Sequence, residues 1–378
     1  MLIQIHILQN YAPANLNRDD TGSPKDAYFG GIRRGRISSQ CLKRSIRRSV
    51  TFADAFKNSN LLGVRTKSLP DLVEEQLDEL QVNAETKKAI LDRVPEIGKE
   101  SKKRGEEETN TAEAEAETEE KAATRQLIFI GANELRPLAE KLLAEFQRLG
   151  PTAWKKAKIG DITKTLGSSL PRSVDIALFG RMTTSAAFED VQAAAQVAHA
   201  ISTNALTQEF DYYTAVDDIS GESGAGMIGD IEFNSSTYYK YLNVHWEGLV
   251  KNLGGDVEVA RQAVLALVEA AATAQPTGKQ NSFAAFNLPD FMLVEVTQKN
   301  LPVSYANAFI KPVRASGDQS VLDVSVEKLG DYLQRVTKTF NLDGKRAFTA
   351  TQPYSLPDAE ATPSLDELKA WVNALLPR

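Results

Sequence analysis

The sequence predicts an α+β protein. Residues 2–9 alternate Ile3, Ile5 and Ile7 with Leu2, Gln4, His6 and Leu8, the period-two pattern of a strand with one aliphatic and one mixed face. Runs at 238–244 and 291–297 also read as strands. Elsewhere Leu72, Gln76, Leu77 and Leu80, and Leu138, Leu142 and Phe146, recur at the i, i+3, i+4 spacing of a buried helix face. At 378 residues, 42% of them apolar, the chain is long enough for two or three domains.

Taken in order, the opening strand leads into residues 10–29, rich in Pro, Asn, Asp and Gly and read as loop, and the Gly30-Gly31 pair then permits a tight turn. Ser38 or Ser39 caps a helix running to about Val50. Residues 68–94 and 126–149 form a helical insertion. Between them lies the low-complexity tract 99–125, in which 106–120 hold eight acids and no base, so a mobile, solvated connector is expected. The apolar run 174–178 reads as a strand and the Ala-rich 188–206 as a helix. Residues 210–234 are aromatic, acidic and Gly-rich, with strand-like legs at 212–216 and 228–233, the pattern of a protruding arm. Helices at 257–274 and 326–340 and a terminal helix from Ser364 complete the reading.

Several chemistries are disfavoured. One Cys excludes a disulfide framework or a Cys-rich zinc site, and His6, His199 and His245 never fall in a metal-binding spacing. Residues 224–229 formally match GxGxxG, but no buried strand precedes them and no helix pattern follows. No GxxxxGK[ST] exists. The pairs Asp19-Asp20 and Asp217-Asp218 point their members opposite ways in extended chain and suit turns better than a metal, and Ser185 lacks a GxSxG frame. No catalytic constellation, metal or cofactor is therefore expected. Without an 18-residue uncharged apolar run or a basic segment ahead of the first apolar residues, a cytoplasmic protein making no membrane contact is expected.

Charge is more informative. The chain carries −6, yet residues 25–48 hold eight bases against Asp26, +7, leaving −13 for the remainder. In the helix that follows Ser38, Leu42, Ile46 and Val50 share one side while Lys43, Arg44, Arg47 and Arg48 spread over an arc of about 140° on the other. Cations near a helix N-terminus oppose the macrodipole, so Lys43 and Arg44 serve something other than the helix. One dense basic surface on an acidic protein suits a phosphate backbone. Residues 279–287 add Lys279 with amides and two Phe, a mixture suited to the same ligand.

Five stretches then resemble a known family, the CasC backbone subunits of the type I-E CRISPR surveillance complex, Cascade. They are Leu16-Asn-Arg-Asp-Asp20; Lys25-Asp-Ala-Tyr-Phe-Gly-Gly31 with Arg36-Ile-Ser-Ser-Gln40 and Leu42-Lys-Arg44; Val174-Asp-Ile-Ala-Leu178 with Gly180-Arg-Met182; Tyr213-Thr-Ala-Val-Asp-Asp218; and Ala284-Ala-Phe-Asn287 with Ala306-Asn-Ala-Phe309. A weaker match is Asp366-Glu-Leu-Lys-Ala-Trp371, and tract 99–125 is unlike the family. The resemblance implies an RRM-like (ferredoxin-like) palm at 1–58, 159–198 and 237–378, helical fingers at 59–158 and a thumb at 199–236. It implies a non-enzymatic scaffold stacked in several copies along guide RNA (crRNA), with other Cascade subunits as partners and target DNA met through base pairing. Arg18, Lys25, Arg34, Arg36, Ser38, Gln40, Lys43, Arg44, Arg47 and Lys279 would cradle the backbone without reading bases, and Met182 would wedge beside a displaced nucleotide. A competing reading is a CRISPR-type endoribonuclease on a similar fold, with His6 or His199 as general base.

Overall fold

The structure, a computed structural model, describes residues 1–98, 127–158, 162, 172–183, 188–214 and 228–378. The acidic tract 99–125, Asp217-Asp218, Ser185 and most of the arm tip at 220–229 lie outside them. The fold is α+β and divides into two units, the first comprising Met1–Ala55, Ala195–Glu247 and Val257–Arg378, the second Phe56–Ala194 and Gly248–Asp256.

The strands in chain order are β1 (Leu2–Ala14), β2 (Asp26–Phe29), β3 (Ile32–Ile37), β4 (Gly63–Thr66), β5 (Ile128–Gly131), β6 (Ala195–Val197), β7 (Ala200–Ser202), β8 (Glu209–Thr214), β9 (Ile228–His245), β10 (Phe291–Thr297), β11 (Lys345–Ala350) and β12 (Glu360–Ala361). The first unit is built on a ten-stranded sheet ordered β12-β11-β10-β1-β9-β7-β3-β2, with β6 and β8 also paired to β9. Its ladders are antiparallel except β11 with β12. Central β1 lies between β9 and β10 with residues 2–9 buried throughout, which is why its sequence carries apolar residues on both faces.

Polar residues on the mixed face of β1 are paired inside the sheet. Gln4 Oε1 accepts from the Tyr241 hydroxyl at 2.7 Å and the Val303 amide at 2.8 Å. His6 Nδ1 lies 2.8 Å from the Tyr239 hydroxyl, its Nε2 3.3 Å from Glu295, and its ring stacks on Tyr305 at 4.5 Å. Glu295 also pairs with Arg346 and accepts from the Tyr305 hydroxyl at 2.8 Å. Burial alone would push the Glu295 carboxyl up, but His6 and the Arg346 guanidinium outweigh it and hold it at about 2. A carboxyl lowered on folding from its usual 4.5 contributes stability that is present above pH 4.5 and lost as pH falls through 2. We expect an acid-unfolding limb on the order of 3 kcal/mol across that window. Urea midpoints at stepped pH should show it in the native protein and not in Glu295→Gln.

The second unit packs the helices Leu69–Glu79, Ala84–Leu91 and Ala132–Lys156 with the β4–β5 pair around Leu69, Val73, Leu77, Ile90, Leu138, Leu142 and Trp154. It runs on to Ala194, past the boundary at 158 drawn from the sequence.

Two local readings are corrected. Residues 174–178 form a helix, Val174–Phe179, not a strand. Val174 through Leu178 are all buried, Asp175 included, so their burial carries no period. Asp175 Oδ1 holds its first turn by accepting from the Ser173 hydroxyl and from the Gly63 and Ile176 amides. Residues 188–206 are not a helix: β6 and β7 pair with β9, a tertiary pairing that overrides the alanines' propensity. Residues 10–29 are also less loop-like than expected, because β1 runs to Ala14 and β2 begins at Asp26.

Candidate nucleic-acid interface

The basic segment is shaped by three local devices. Gly30 and Gly31, at φ of 61° and 78°, make the two-residue turn of the β2–β3 hairpin, where Phe29 faces Ile32. A side chain on Gly30 would collide with the Ile310 carbonyl. The loop after β1 is latched by Asn17, whose Oδ1 accepts the Ser38 amide at 2.8 Å and whose carbonyl accepts the Lys25 amide at 2.8 Å. Its tip closes on Asp19, which accepts from the Thr21 hydroxyl and from the Thr21 and Ser23 amides. The Thr21 hydroxyl, first among these, holds the Asp19 carboxyl below its usual range.

Ser38 is the N-cap of the helix Ser39–Arg48, its hydroxyl accepting the Cys41 amide at 3.2 Å. Leu42 and Ile46 are buried while Arg44 and Arg48 are exposed and Lys43 and Arg47 half-buried, so one face packs and the other is basic. The Ser39 amide donates to His199 Nδ1 at 2.9 Å. Burial first, then the fields of Arg36, Lys25 and Lys43, hold the His199 pKa below its usual value. The fields of those three cations therefore reach one ring.

Beside them lies a cleft of about 560 Å³ within the first unit. One wall is the 16–22 loop with Arg18; the helix contributes Cys41, Arg44 and Ser45, and Thr277 and Gly278 close the third side. Gly278 packs so tightly on the Leu16 carbonyl that no side chain fits there, and Lys279 follows in the left-handed region at φ 52°. Three segments remote in sequence thus meet about one groove, with Arg18 and Arg44 in its lining and Lys279 next in sequence to Gly278. Gln40 is exposed in the helix's first turn.

Two of the expected contact residues are buried within the fold, and a third belongs to the second unit. Arg34 is fully buried: Nη1 donates to the Ser202 and Thr203 carbonyls at 2.9 and 2.8 Å, and Nη2 to those of Phe309 and Ile310 at 2.7 and 3.3 Å. Both terminal nitrogens are spent on backbone carbonyls, so Arg34 holds the sheet and not a phosphate. Ser38 is buried and its hydroxyl committed to the cap. Met182 belongs to the second unit, where it stands 95% exposed. Its neighbour Arg181 is buried against Glu134 at 2.8 Å and donates to the Phe129 and Glu189 carbonyls, an anchor that leaves Met182 projecting. Burial raises the Glu134 carboxyl and Arg181 partly offsets the rise.

The sequence reading missed Ser45 and Thr277 as cleft residues; the signal for the second was Pro276, which stops the long helix just ahead of Thr277-Gly-Lys279. The arm pairs Glu209 with Phe233 through Thr214 with Ile228, and leaves Phe210, Tyr212, Tyr213 and Ile228 exposed. Among the described residues no helix is long and apolar enough to cross a membrane, and no group of three or more His, Cys, Asp or Glu is placed to hold a metal.

Over 99% of both chains, with a TM-score of 0.79 and 29% identity, the structure is similar to a chain of a CRISPR RNA-guided surveillance complex, pre-nicking. A chain of a second CRISPR RNA-guided surveillance complex is similar in fold, at a TM-score of 0.60 and 24% identity over 98% of this chain and 100% of that one. No curated protein matches the chain. The model of the CT1975-like proteins matches residues 3–374, and the chain belongs to that family.

Proposed function

We propose that this protein is the crRNA-binding backbone subunit of a type I-E Cascade complex, a non-enzymatic scaffold of the CasC kind that stacks in several copies along the guide. One observation carries the reading: an acidic chain sets Arg18 and Arg44 in the wall of one cleft, and the fields of Lys25, Arg36 and Lys43 act together on His199, whose Nδ1 is bonded to the same basic helix. Flexible cations of this kind hold phosphates whatever the base, which a guide must allow if its bases are to pair with target DNA. Likeness to a chain of an RNA-guided surveillance complex supports the same reading. Gln40 and Arg47 flank the groove on the same helix, Met182 wedges beside a displaced nucleotide, and the arm's exposed aromatics reach the next copy. The protein works in the cytoplasm beside other Cascade subunits.

The endoribonuclease reading loses support from its two histidines. His6 is fully buried under Tyr305, and His199 spends Nδ1 on the Ser39 amide, so its proton sits on Nε2. Labelled crRNA incubated with the purified protein should be protected, not shortened. Native mass spectrometry should find rows of copies whose number grows with guide length. Replacing Phe210, Tyr212 and Tyr213 with Ser should leave single subunits binding RNA weakly and abolish the long rows. Cleavage of the RNA, or full rows formed by the triple variant, would overturn the scaffold or the arm's role respectively.

A further inference from the structure

Lys240 lies in the middle of β9 and is almost completely buried. Among the described residues no carboxylate pairs with it. Its ammonium donates to Gln9 Oε1 and, at 3.1 Å, to the Tyr11 hydroxyl, over whose ring it lies 5.4 Å from the centroid. A buried cation without a counter-ion is expensive, and a methionine would fill similar space, so the charge calls for an explanation.

The network continues in one direction. The Tyr11 hydroxyl donates to Gln275 Oε1 at 2.6 Å, Gln9 Nε2 donates to the Asn287 carbonyl, and Gln275 Nε2 donates to that same carbonyl at 2.8 Å. Asn287 Oδ1 also accepts the Ala12 amide at 3.1 Å. Gln275 and Asn287 are the two ends of the loop that carries Thr277, Gly278 and Lys279 to the cleft. The titratable groups facing Lys240 are the Tyr11 phenol from β1 and the Cys41 thiol from the basic helix, with Tyr238 beyond the phenol. Cys41 lines the cleft and feels the charges of Arg44, Lys25 and Lys240 together, so the Lys240 charge reaches the cleft wall.

We propose that Lys240 is a positioning residue for nucleic-acid binding: with Gln9, Tyr11 and Gln275 it clamps both ends of the 275–287 loop to the sheet, and its ammonium adds positive charge at the phosphate-binding wall. The charge half of this inference rests on the reading of the cleft as an RNA site; the clamp does not. Burial lowers the Lys240 pKa to about 7 in the free protein. A phosphate in the cleft favours the charged form and raises that value, so binding takes up a proton above pH 7. Affinity is therefore full below pH 7 and falls as pH rises, until the pKa of the bound state is passed.

The test uses the full chain, a labelled single-stranded RNA, and the variants Lys240→Met and Gln275→Leu. From about pH 6 to about pH 9, native affinity should fall by up to about tenfold per pH unit, Lys240→Met should bind more weakly at pH 6 without that decline, and Gln275→Leu should keep it. Amide exchange across 276–286 should accelerate in both variants without RNA. Lys240→Met with the native pH profile overturns the charge role, as does a native affinity that is flat with pH. Native exchange across 276–286 in Gln275→Leu overturns the clamp, and decides it even if Lys240→Met does not fold. If the native chain binds no RNA at any pH, the reading of the cleft fails and the charge role with it, while the exchange result still decides the clamp.

Discussion

Arg34→Ala should destabilise the first unit by about 3–5 kcal/mol, although Arg34 sits in the middle of the most basic stretch of the chain. The substitution removes a buried guanidinium that bridges β3 to the carbonyls of residues 202–203 on one side and 309–310 on the other. It leaves a cavity and under-satisfied carbonyls in the sheet. Lysine is no remedy, because one ammonium cannot span two pairs of carbonyls as a planar fork does. Equilibrium denaturation followed by circular dichroism reads the effect directly. Under conditions where the variant is folded, its RNA affinity should keep the native salt dependence. An Arg34→Ala protein as stable as the native one, yet poor at binding RNA, would return the guanidinium to the nucleic acid.

Arg18→Ala, Lys43→Ala and Arg44→Ala combined should do the opposite. These side chains stand at the cleft and on the basic helix face, and the loop tip and helix that carry them are held by Asp19, Asn17 and the Ser38 cap, not by the cations. Stability should move by less than about 0.5 kcal/mol per site. RNA affinity at low salt should fall by about 3 kcal/mol, near 100-fold, at about 1 kcal/mol for each phosphate contact. The plot of log affinity against log salt should flatten by about 2, at roughly 0.7 per contact on a single strand. Unrelated RNA sequences should suffer alike, since phosphates carry no base identity. Fluorescence anisotropy titrations at several salt concentrations test all of this, and a loss confined to one sequence would mean that the cleft reads bases. The pair of experiments separates cations that hold the protein together from cations that hold a ligand, a distinction that net charge cannot make.

What the amino-acid sequence determined alone is what local chemistry decides. The aliphatic alternation of residues 2–9 produced a strand, Phe291–Thr297 appears as read, and Ser38 and Ser364 cap the helices predicted to follow them. The arm's two legs and the basic helix face were likewise legible, because each depends on side chains within a few residues of one another. Tertiary structure alone decided the rest. The apolar run at 174–179 has no period to distinguish helix from strand, so its surroundings chose helix. The alanines near 200 were drawn into strands by unpaired backbone groups on β9, some forty residues away. Arg34 and Arg36 are indistinguishable in a string of bases, and which one is inside depends on carbonyls at 202–203 and 309–310 that arrive from distant segments. Lys240 sits among tyrosines in a strand that the sequence does announce, but it is buried beside Gln9 and Tyr11 of β1, which are bonded in turn to the 275–287 loop. Burial is a property of what packs on a residue, and in this topology what packs lies from some forty to more than two hundred positions away.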